Sequence, residues 1–94
     1  MTDKYIDAVK AIIKEQEKII GKNISEQIMR SVPELRLVDG EPKISGDPKH
    51  TLSVLVEKYA ILFGKASIEV SKEALVKVGK NGGLNFSELP DNLR

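Results

Sequence analysis

The chain has 94 residues, of which 40 % are hydrophobic and 31 % charged, a length and apolar share that suit one small folded domain over residues 1–94 and leave no room for a second. Fifteen Lys and Arg against 14 Asp and Glu give a net charge of +1, so no overall field draws nucleic acid, an anionic membrane surface or a strongly charged substrate. The absence of cysteine excludes disulfides, thiol catalysis, Cys-ligated zinc and iron–sulfur clusters, and with His50 as the sole histidine we expect neither a transition-metal site nor a cofactor.

Tyr5, Ile6, Val9, Ile12, Ile13, Gln16, Ile19 and Ile20 recur at steps of three and four with charged residues between them, which predicts an amphipathic helix over about residues 3–20. Thr2 or Asp3 can cap its start, and Gly21 sits where a helix closes with positive φ. Asn23 as N-cap with Glu26 three residues later approximates a capping box for a short second helix, which Pro33 ends near Ser31. Leu35 and Leu37 then alternate with polar residues ahead of an Asp39-Gly40 turn signal, which predicts a small hairpin with Pro42 confining its second strand to an edge, an irregular loop being the alternative.

Gly46, Asp47 and Pro48 combine a breaker, a capping carboxylate and a proline at the first helical position. From there the apolar pattern runs through Leu52, Tyr59, Phe63, Val70 and Leu75 to about Val78. The expectation is one helix of some thirty residues, roughly 45 Å long. Gly79 and the Asn81-Gly82-Gly83 run end it, and the tail from Leu84 to Leu93 is too apolar to be freely solvated, so it docks. The fold class expected is mainly α with a minor β-hairpin: two N-terminal helices, the hairpin, the long helix and the docked tail, completed as a helical-bundle homodimer.

Small residues carry the most informative pattern. Ser53, Ala60, Ser67 and Ala74 recur every seven residues, with Gly64 and Ser71 four after Ala60 and Ser67, which lines one helix face with a shallow groove. Either the first helix fills this groove within the chain, or a second copy or partner helix meets it. A second heptad stripe on the same helix, Leu52, Val56, Tyr59, Phe63, Ala66 and Val70, leaves more apolar face than the two N-terminal helices can cover, which argues for the dimer.

Other constellations are weaker. Lys10, Lys14, Lys18 and Lys22 form a basic ridge along the first helix, a solvated face beside Glu15 and Glu17 or, as the sharper alternative, a salt-sensitive contact to a nucleic-acid backbone. Tyr59 and Phe63, four apart, read as core or as the lining of an apolar ligand pocket. His50 falls in the first turn of the long helix without a nucleophile to serve, and Asp39, Glu41 and Asp47 lack the spacing of a calcium loop. Lys80, Asn81, Gly82 and Gly83 follow a helix and meet its negative end, which argues against a phosphate cradle.

These patterns contain no paired catalytic groups, so we expect a non-enzymatic interaction or regulatory module acting through helix–helix contacts. The alternatives are a small-ligand sensor with an apolar interhelical pocket, or a weak nucleic-acid backbone binder. No apolar leader opens the sequence, and the longest strongly apolar runs, 52–56 and 59–64, are too short to span a bilayer, so a cytoplasmic protein without membrane association is expected.

Overall fold

A computed structural model describes residues 4–39, 41–77 and 84–94. Four helices and a two-stranded hairpin follow one another: α1 (Lys4–Ile20), α2 (Lys22–Arg30), β1 (Leu35–Val38), β2 (Glu41–Ile44), α3 (Pro48–Phe63) and α4 (Ala66–Lys77), then single 3₁₀ turns at Phe86–Glu88 and Asp91–Leu93. The expected caps at Thr2 or Asp3, the turn residue Gly40, the helix end at Val78 and Gly79, and the Lys80 to Gly83 run lie outside the described residues. Among the described residues no helix is long and apolar enough to cross a membrane.

The amphipathic pattern of α1 is expressed as expected, with Ala8, Val9, Ile12 and Gln16 buried. Gly21 divides α1 from α2. Its φ of 87° and ψ of 157° lie in a region open essentially to glycine, and its N–H still donates to the Glu17 carbonyl at 3.0 Å. The capping box at Asn23 does not form. The N-cap is Gly21, two residues earlier, so the helix starts at Lys22 with no side-chain cap bond. At the hairpin, Val38 pairs with Glu41 and Leu35 with Ile44, and Asp39 takes a φ of 53°, the positive value that the first central position of a two-residue I′ loop demands.

Glu34 ties the hairpin to α3. Its carbonyl accepts from Ser45 N at 2.8 Å, and its carboxylate accepts from Thr51 Oγ1 at 2.8 Å. Gly46 lies under that side chain, where a Cβ would come within 2.6 Å of the carboxylate. Asp47 then caps α3, accepting from Lys49 N at 3.0 Å, with Pro48 in the first turn.

The single long helix expected over about 48–78 is two helices. Gly64 breaks it with φ 80° and ψ −174°, a conformation that a non-glycine residue enters only under strain. The Gly64 N–H closes α3 on the Ala60 carbonyl at 2.7 Å, and the Gly64 carbonyl opens α4 by accepting from Ser67 N at 3.1 Å and Ser67 Oγ at 2.8 Å. The chain therefore folds back within a body whose longest extent is 30 Å, shorter than the rod expected.

Its core draws Val9 and Ile12 from α1, Ile28 and Met29 from α2, Leu52, Leu55, Val56 and Tyr59 from α3, and Ala74 and Leu75 from α4. The tail completes it. Leu84, Leu89 and Leu93 are buried, Tyr5 Oη donates to the Glu88 carbonyl at 2.7 Å, and Asn92 Nδ2 donates to the Ser53 carbonyl at 2.9 Å.

Gly64→Ala separates the two architectures by sign. In a continuous helix it would stabilise by about 1 kcal/mol. At a positive-φ turn it costs about 1–3 kcal/mol, although no atom lies within 4 Å of the added Cβ. We expect a lower midpoint in urea denaturation.

Candidate interaction surface

The break at Gly64 divides the small-residue stripe. Ser67, Ser71 and Ala74 are buried on α4, which packs along α1. Gln16 of α1 reaches into this face, its Nε2 donating to the Ser67 carbonyl at 3.0 Å and to Ser71 Oγ at 3.3 Å. Ser71 Oγ in turn donates to the Ser67 carbonyl at 3.0 Å. This part of the groove is thus filled within the chain. Ser53 and Ala60 are half-buried on α3, and Gly64 is exposed at the turn, so the six residues do not form one continuous seam. The break also parts the second stripe: Leu52, Val56 and Tyr59 enter the core, while Phe63 stays exposed and Ala66 and Val70 belong to another helix.

Tyr59 and Phe63 separate as well. Tyr59 is fully buried, its hydroxyl 2.6 Å from Ser25 Oγ, and burial pushes its pKa above the ordinary phenol value. Phe63 is 41 % exposed and lines an apolar cleft of about 100 Å³ with Gln16, Ile19, Ile20, Ala66 and Val70. Ile19, part of that lining, is 64 % exposed, and Ile61 and Leu62, which precede Phe63 in the last turn of α3, are 69 and 61 % exposed. Ile19 and Phe63 thus meet in an exposed apolar cleft between α1, α3 and α4, and α3 ends on three exposed apolar residues in succession. The sequence carries a signal for it: an Ile-Leu-Phe run that would surround the last turn of a helix ending at glycine.

The basic ridge is interrupted by acids. Lys10 forms an ion pair with Glu41 on the hairpin, and Lys18 pairs with Glu15 at 3.0 Å. Lys14 and Lys22 line a cleft of about 350 Å³ between α1, α2 and the hairpin, together with Glu17 and Glu26 and above Met29 and Leu37. That rim balances positive and negative charge, the reverse of a phosphate-tracking surface. His50 shares a separate cleft with Ser31, Glu34 and Lys58. Among the described residues no group of three or more His, Asp or Glu could hold a metal ion. Glu41 is taken by Lys10 and Asp47 by its own helix cap. Comparison with protein-family models, curated proteins and solved structures finds no match for this chain.

Three carboxylates tie elements together. Contacts from Lys77 and Lys18 hold Glu15 below the ordinary carboxylate pKa, Lys10 does the same for Glu41, and the Asn85 backbone N–H with Lys4 does so for Glu88. Their folded pKa values are depressed, so the stability they contribute is present above the unfolded carboxylate range and lost as pH falls through the folded values. We expect the melting temperature to fall on acidification below that range, and Glu15→Gln to flatten the dependence.

Gln16→Leu removes the amide donor while keeping an apolar body. It should cost about 1–3 kcal/mol in urea denaturation. Its effect should be non-additive with that of Ser71→Ala, since the two side chains touch.

Proposed function

We propose that the chain is a non-enzymatic interaction module that docks another protein through the corner formed by α1, α3 and α4. One observation carries this reading: Ile61, Leu62 and Phe63, three consecutive large apolar residues that end α3, are 69, 61 and 41 % exposed. The cleft beside them, about 100 Å³, holds roughly three waters' worth of liquid volume. That is the bulk of one aliphatic side chain and falls short of the roughly 300–1,000 Å³ of a small-molecule site. The partner is therefore a protein surface that presents an aliphatic side chain from a helix. Because Glu57 and Lys65 both stand exposed near the run, charges of both signs on the partner suit the rim.

A small-ligand reading is favoured by one observation only, the cleft of about 350 Å³ bounded by Ile13, Met29, Leu37 and Pro42 under its mixed charges. It would apply to the opposite side of α1, away from Phe63.

A photo-reactive phenylalanine analogue at Ile61 tests the docking reading in the native cells, with the same group at exposed Arg36 as control. The expected result is a discrete protein adduct from position 61 alone, with the cross-link mapped by mass spectrometry to an apolar helical segment. Equal labelling from both positions, or none from position 61, would overturn it.

A further inference from the structure

We propose that the cleft between α1, α2 and the hairpin binds a small zwitterion, an apolar α-amino acid whose ammonium and carboxylate are held by the rim charges while its side chain lies on the apolar lining. The proposal rests on the small-ligand reading of this cleft and is independent of the corner at Phe63. The space measures about 350 Å³, at the lower end of the roughly 300–1,000 Å³ of small-molecule sites, which limits the occupant to a compact molecule. Ile13, Met29, Leu37 and Pro42 give it an apolar lining drawn from both helices and the hairpin.

The charges around that lining set the chemistry. Lys10 and Glu41 are spent on each other. Lys14 and Glu17 of α1 and Lys22 and Glu26 of α2 line the same space, and none of these four takes part in an ion pair found among the described residues. Within each helix the lysine precedes the glutamate, by three residues on α1 and by four on α2, which is the less favourable order for pairing along a helix. Glu17 and Glu26 are also half-buried, so both carboxylates already give up part of their water without gaining a cation.

A ligand bearing both signs answers this rim. An uncharged apolar molecule would take further water from these groups and return no hydrogen bond, which costs free energy for every charge it covers. A simple cation would stand against Lys14 and Lys22, and a simple anion against Glu17 and Glu26. An α-amino acid gives its ammonium to a glutamate and its carboxylate to a lysine, and it adds no net charge to a rim of three lysines and three glutamates. Its apolar side chain covers Leu37, which is 37 % exposed.

Titration of the full chain followed by amide and methyl NMR tests this with three matched probes: L-leucine, 3-methylbutylamine, which lacks the carboxylate, and 4-methylpentanoate, which lacks the ammonium. Leucine should shift the resonances of Ile13, Met29 and Leu37 with a dissociation constant on the order of 0.1–1 mM. Each analogue should bind roughly 3- to 30-fold more weakly, between the worth of an exposed ion pair and that of a charge-assisted hydrogen bond. Glu17→Gln combined with Glu26→Gln should weaken leucine and the amine by a similar factor and leave the acid no weaker, with far-UV circular dichroism unchanged because neither side chain holds an ion pair of the fold. An analogue that binds in the cleft as tightly as leucine overturns the zwitterion and keeps the small-ligand reading, as does a double variant that binds leucine like the wild type. No shift at the cleft with any of the three probes at about 10 mM, well above the expected range, removes both.

Discussion

The chain's direction reverses at Gly64, and the remaining architecture depends on that turn. A residue held at φ 80° with ψ −174° cannot continue a helix, so α4 leaves the axis of α3 and packs along α1. The new contact is fixed by a polar bridge: Gln16 spans to the Ser67 carbonyl and Ser71 Oγ, and Ser67 latches back to the Gly64 carbonyl. A buried amide tolerates few registers, because sliding α4 by one residue would leave it unpaired at a cost of about 1–3 kcal/mol. The same turn explains the exposed corner. It ends α3 directly after Ile61, Leu62 and Phe63, which stay exposed.

Local chemistry was legible in the sequence where one residue dictates the backbone. Gly46, Asp47 and Pro48 start α3 by breaking, capping and pre-setting φ in turn, and Asp39 turns the hairpin with a positive φ. The periodicity of α1 marked its buried face, and the apolar tail docked as its composition required. Gly64 was harder to read. A glycine inside a helix costs only about 1 kcal/mol relative to alanine, and the residues on either side continue the helical period, so nothing local distinguishes a tolerated glycine from a break. The deciding term is tertiary: α4 buries Ser67, Ser71 and Ala74 against α1 only if the chain folds back.

The same distinction governs the candidate site. A stripe of small residues does announce a close helix contact, and on α4 that contact is made with α1. The pattern itself does not say whether Ser53 and Ala60 share it, because the seven-residue phase passes through Gly64 without a slip. Gln16 looked like one more position on an apolar face, yet it is the polar member that sets the register there. The helix-one lysines form a ridge in sequence, but folding brings Glu41 to Lys10 from the hairpin. Its distance of 31 positions from Lys10 hides it from any local reading of charge.

The tail closes the longest loop in the molecule. Tyr5 and Glu88 are 83 positions apart, and Leu84, Leu89 and Leu93 fill the core from that far end. Joining such distant segments costs chain entropy before their contacts form, so this segment assembles after α1, α2 and the hairpin have met through their shorter loops. Two short 3₁₀ turns hold it, without a longer helix to propagate order along it. Of all the core's contributors it is therefore the one whose transient release would cost least. Its release would first uncover the stretch of α3 at Ser53, whose carbonyl Asn92 holds.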